Sequence, residues 1–136
     1  MVAVYEFLPD ADRYQSLVPA SDAGFERIRA LGEAPAPNWK APELRWIGAT
    51  TPGDFPALIG QVPVVSVRAL RAMQPLLGDR VDLLPIRVPG GGYTALHVRD
   101  FPNCLDIEKT KARWFEPGRA RMIESYAFRP GCLDGH

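Results

Sequence analysis

The chain has 136 residues with 16 basic and 16 acidic side chains; 46% of it is apolar, and it contains 14 Pro and 12 Gly. That length fits one domain of ordinary size, enough to bury a core without covalent staples, and excludes a multidomain architecture. A formal net charge of zero gives no global field for nucleic acid or anionic lipid, and Pro plus Gly stay below the level that marks low-complexity chains.

Residues 2–8 are rich in β-branched and aromatic side chains and run into Pro9-Asp10, which predicts a first, centrally paired strand closed by a turn. The same start lacks the basic and apolar segments of a secretory signal, and Glu6 and Asp10 interrupt it, so it reads as a protein that is not exported. From Ser21-Asp22 onward Phe25, Ile28 and Leu31 recur at helical spacing, with Gly32 as the stop. Prolines exclude a helix over 34–42, which predicts an extended loop carrying Trp39. Glu43 to Ile47 alternates polar and apolar, a strand with Leu44 and Trp46 on one face, before a turn-rich stretch from Thr51 to Pro56. Asp54 in that turn is suited to capping its own loop.

Val62 to Val65 predicts a short strand, and Ser66 a cap for a helix with Val67, Leu70, Met73 and Leu77 on its apolar stripe. Pro75 removes a donor and is expected to kink or end that helix one turn before Gly78-Asp79. Val81–Val88 and Tyr93–Val98 then read as a hairpin joined by Pro89-Gly90-Gly91-Gly92. A polar stretch over 100–113, a turn at Glu116-Pro117-Gly118 and a final alternating strand over 122–128 complete the chain. This order of elements predicts a single α+β domain, mainly antiparallel, with one or two short helices. No apolar run approaches the roughly 20 residues needed to span a bilayer, which predicts a protein without a membrane partner. Cys104 and Cys132 lie 28 positions apart, unlike a redox pair or half a zinc site, and read as two reduced cytosolic thiols.

Chemistry-bearing clusters are sparse. His97, Asp100, Cys104, Asp106 and Glu108 have the side-chain types of a zinc site without a diagnostic spacing, the basis of an alternative reading as a small metal-dependent enzyme. Lys109, Lys111, Arg113, Arg119 and Arg121 interleave with Trp114 and Phe115, the mixture of a nucleic-acid-binding module, but Glu108, Glu116 and Glu124 dilute it. The glycine run 90–92 precedes a strand, whereas phosphate loops feed a helix. Neither catalysis, nor a cofactor, nor a nucleic-acid partner is the expectation. Trp39 and Trp114 sit in or beside loops, where Trp serves equally as core lid or binding anchor, while Trp46 reads as core.

The stretch Pro63-Val64-Val65-Ser66-Val67-Arg68-Ala69-Leu70, with Leu76-Leu77-Gly78-Asp79 and Leu83-Leu84-Pro85-Ile86, resembles an immunity-protein family of bacterial polymorphic toxin systems, long classed as a domain of unknown function. Trp39 followed by Pro42, the Gly53-Asp54-Phe55-Pro56 turn, the strand from Tyr93 to Val98 and Leu105-Asp106 fall in the same order, extending the likeness over about residues 2–128. The resemblance implies a cytoplasmic immunity protein that binds and neutralises a cognate toxin encoded nearby, without catalysis or cofactor. Positions matching the family's recurrent ones are Trp39, Asp54, Ser66, Leu70, Leu84, Pro85 and Asp106. Members of the family usually continue past the strand matching 122–128, so the sequence reads either as a natural short form or as one lacking a C-terminal segment. The expected mechanism is occlusion of the toxin's active site by loops within 34–56 or 99–121, with Trp39, Asp54, Trp114 and Asp106 as interface residues.

Overall fold

A computed structural model describes residues 4–5, 7–31, 38–58, 62–99, 103–116 and 119–134, with the side chains of 119–121 undescribed. They fall into two compact units, one of residues 7–100 and one formed by 1–6 with 101–136. Among the described residues, two helices and seven strands with antiparallel ladders make the α+β fold that the order of elements predicts, although the strands form three small sheets rather than one.

In the 7–100 unit, β1 (Gln15–Pro19) pairs with β2 (Leu44–Gly48), setting Leu17 opposite Trp46. Between them runs α1 (Asp22–Ala30), whose N-cap Ser21 accepts the Gly24 N–H through its hydroxyl, and whose Ile28 is buried. β3 (Val64–Ser66), β4 (Val81–Pro85) and β5 (Tyr93–Val98) form a sheet with β5 in the centre. Ser66 ends β3 and caps α2 (Val67–Leu77), its Oγ accepting the Ala69 N–H at 3.1 Å. The predicted hairpin β4–β5 forms, but β4 ends at Pro85 rather than Val88, and Gly90, Gly91 and Gly92 all take positive φ in the longer connection. Leu17, Ile28, Leu44, Val64, Leu84 and Ala95 form the main core, and Val65, Ala69 and Leu96 a second cluster under α2. The Leu44 N–H to Arg87 carbonyl and Arg87 N–H to Pro42 carbonyl bonds tie the two sheets' margins together.

Several expectations change. Residues 4, 5 and 7–10 form no strand, and Tyr5 and Leu8 are exposed, so the apolar start is not a central strand; residues 2, 3 and 6 lie outside the described residues. α2 continues through Pro75 to Leu77, because a proline in the last turn removes only the bond to the Arg71 carbonyl. Ala69 replaces Val67 on its inner stripe, and Val67 is exposed.

The other unit is built on β6 (Lys111–Glu116) and β7 (Arg119–Ser125), a two-stranded hairpin with several register shifts whose connection lies outside the described residues. β6 begins inside the stretch read as polar loop. Leu105 bridges Phe128, and Cys104 is bonded to Cys132, which overturns the reading of two reduced thiols. The sequence separation of the cysteines hid this pairing, because strands β6 and β7 fold back and bring both ends of the hairpin together. Among the described residues, no helix is long and apolar enough to cross a membrane.

Candidate functional site

Asp54 is placed by the turn before β3 and held by α2's first residues. The Ser66 N–H donates to its carbonyl at 2.9 Å, and the Ser66 hydroxyl to Oδ1 at 2.6 Å. Arg68 Nε reaches Oδ1 at 3.3 Å and Nη2 reaches Oδ2 at 2.5 Å, a forked pair that leaves most of the Arg68 side chain in solvent. Hydrogen bonds from Arg68 and then Ser66 hold the Asp54 carboxyl below the usual carboxylate range, outweighing its partial desolvation. The Arg68 guanidinium is correspondingly held more firmly protonated by Asp54. Ser66 therefore serves two partners at once, accepting from Ala69 and donating to Asp54.

This clamp borders a cleft of about 470 Å³ walled by Phe7, Tyr14, Phe55 and Tyr93. The Tyr93 hydroxyl donates to the Gly53 carbonyl at 2.9 Å, and burial, then the Asp54 charge, pushes its titration up. Phe7 and Phe55 meet edge to face at 5.3 Å, and the Arg13 guanidinium lies 5.3 Å from the centre of the Tyr14 ring. Gly53 is required by contact: a Cβ there would stand 2.8 Å from the Tyr14 ring. An ionised carboxylate satisfied by a guanidinium is a poor general base, so the Ser66 hydroxyl is not activated as a nucleophile. A second cleft of about 490 Å³ carries Arg27, Lys40 and Arg87, with Arg87 3.6 Å from Glu43 and both of these side chains well exposed.

The other sequence-predicted residues are distributed over both units. Trp39 is half-buried against the main core and its indole N–H donates to the Pro85 carbonyl at 2.9 Å, while Trp46 donates to the Pro89 carbonyl at 3.2 Å and packs edge to face on Tyr93. Asp106 organises the turn into β6: its N–H donates to the Ala127 carbonyl at 2.8 Å and its Oδ1 accepts the Lys109 N–H at 3.2 Å. Trp114 lies half-buried on β6, where the register shifts, next to Phe115, which is 68% exposed. Met122 and Tyr126 add exposed apolar surface in this unit, alongside Lys111, Arg113 and Glu124. Sequence reasoning missed Arg68 as the partner of Asp54. A guanidinium two residues past a capping serine was the available signal.

The zinc-like cluster does not assemble. Cys104 spends its sulfur on Cys132, and Asp100 lies outside the described residues. His97 is buried on β5 with Nδ1 3.4 Å from Asp82 Oδ2, its cross-strand partner, and Arg99 approaches the other Asp82 oxygen. Among the described residues, no group of three or more His, Cys, Asp or Glu side chains is arranged to hold a metal ion. No protein-family model matches the chain, and a search of curated proteins gives no match.

Proposed function

We propose that this protein is an immunity protein that binds a cognate secreted bacterial toxin, encoded nearby, and neutralises it by covering the toxin's active site. The partner class comes from the resemblance carried by residues 63–86. The observation that supports a binding role is the β6–β7 hairpin, where Phe115 is 68% and Met122 48% exposed beside a half-buried Trp114 and a margin of charged side chains. Aromatic anchors ringed by charge are the usual composition of a protein interface. Trp39 and Asp54, held by Pro85, Ser66 and Arg68, act in this reading chiefly by fixing the loops that carry them.

Co-expression with the adjacent gene's product tests the proposal: toxicity disappears and a complex co-elutes. In that complex Trp114→Ala weakens binding by about 2 kcal/mol or more, at unchanged melting temperature. Normal binding by that variant moves the interface off the hairpin, and a neighbour whose toxicity persists removes the immunity reading.

A cytoplasmic location belongs to the same reading, and the Cys104–Cys132 bond pulls against it, since disulfides persist in oxidising compartments and are rare in the cytosol. Acid-quenched thiol trapping in the producing cell separates the two. A fully reduced pool is the outcome the cytoplasmic reading expects; an oxidised pool assigns the protein, and the site of neutralisation, to an oxidising compartment.

A further inference from the structure

Among the described residues, every member of the two apolar clusters lies within the 7–100 unit. In the described part of the other unit only Cys104 and Thr110 are buried, while Ile107, Phe115, Met122 and Tyr126 are all more than 40% exposed. An isolated two-stranded hairpin is marginal in water, and units too small to build a core are held by disulfides or metals. Cys104 precedes β6 and Cys132 follows β7, each by a short stretch of chain, so their bond closes a loop around the whole hairpin. Polar contacts gather at the base of that loop. Asp106 N–H donates to the Ala127 carbonyl, Arg129 N–H to the Cys104 carbonyl, and Thr110 Oγ1 accepts the Ala127 N–H.

We propose that the Cys104–Cys132 bond is a redox latch: it holds the hairpin unit folded, and a dithiol reductant releases that unit while residues 7–100 stay folded. Access sets the course of the exchange, because Cys104 is only 2% exposed whereas Cys132 is half-buried. A reductant thiolate attacks Cys132 Sγ, forming a mixed disulfide there and expelling the Cys104 thiolate. The reductant's second thiol then displaces Cys132 and leaves as the oxidised disulfide. Two electrons pass to the protein, and two protons complete the Cys104 and Cys132 thiols. The latch is independent of which partner the hairpin binds.

Hydrogen exchange on the full chain, oxidised and after dithiothreitol, tests it. Amides of Asp106, Ala127 and Arg129 are expected to exchange about 100-fold faster or more in the reduced protein, while those of Leu17, Leu44 and Leu96 change by less than about threefold. The Cys104→Ala/Cys132→Ala variant reproduces the reduced pattern, and reoxidation of the wild type restores protection. Unchanged protection of the Asp106, Ala127 and Arg129 amides after reduction overturns the latch. So does loss of protection in both units together, or protection that fails to return on reoxidation.

Discussion

Asp54 shows how much one side chain can organise without being buried. Its carboxylate takes three hydrogen bonds from two residues on the strand-to-helix junction, and the turn at 51–56 is thereby fixed to the start of α2. Replacing Ser66 with Ala removes both the cap on Ala69 and a donor to Asp54, and is expected to cost about 1–2 kcal/mol in urea unfolding. An unchanged midpoint would mean the cap is redundant. The Asp54 carboxyl is lowered in the folded state, so below its ordinary value of 3.8 the unfolded chain binds the proton first. Its contribution to stability is complete above that value and fades as pH falls through the lower folded value. Asp54→Asn is therefore expected to flatten the slope of stability against pH in that acid window, and equal slopes for variant and wild type would show that Asp54 is not linked to folding. The residue's long-range role was not legible: a Gly-Asp turn reads locally, and its partners stand twelve and fourteen positions ahead. Only the spacing of the cap itself was visible in the sequence.

Among elements, legibility followed local redundancy. α1 combines apolar spacing with a serine cap, β4–β5 combines two apolar runs with three positive-φ glycines, and each was readable because several signals agree. β1 was missed since Gln15-Ser16-Leu17-Val18-Pro19 has a weak alternation, and what makes it a strand is the burial of Leu17 opposite Trp46. β6 was missed for the converse reason: Lys111-Ala112-Arg113 is too polar to announce a strand, and the pairing comes from β7. The start of the chain was misread because β-branched composition alone does not supply a partner. α2 shows where a local rule loses weight. Pro75 sits three residues before the Gly78 cap, so its missing donor frees a single carbonyl, that of Arg71. Pro75→Ala restores that donor and is expected to stabilise the protein by about 1 kcal/mol or more, read as a higher urea midpoint. A lower midpoint would mean that the exposed proline contributes more by restricting the unfolded chain than its missing donor costs.

At the scale of the molecule, a formal charge of zero comes with local ion pairs, Arg68 with Asp54 and Arg87 with Glu43 among them. The basic run that resembles a nucleic-acid surface is partly spent in this way. Lys109 lies 3.9 Å from Asp106 and Arg113 3.8 Å from Glu124. A single-strand binder needs its cations available to displace condensed counterions, each phosphate contact contributing about −0.7 to the slope of log affinity against log salt. Here a phosphate would first have to compete with carboxylates already within ion-pair distance of two of those cations, and no net field draws the strand in. Exposed aromatics on the same hairpin supply stacking area, yet without the electrostatic term they serve a protein partner as well as a base. Anisotropy titration of a labelled mixed pool of single strands is therefore expected to show no binding at moderate salt, and no steep gain as salt is lowered. A log–log slope of several units would instead show that Lys109 and Arg113 exchange their carboxylates for phosphates, and would transfer the hairpin from a protein interface to a nucleic-acid one. Running the titration on both oxidised and reduced protein adds a control. Binding that appears only on reduction would belong to a released hairpin, whose cations are no longer held beside Asp106 and Glu124.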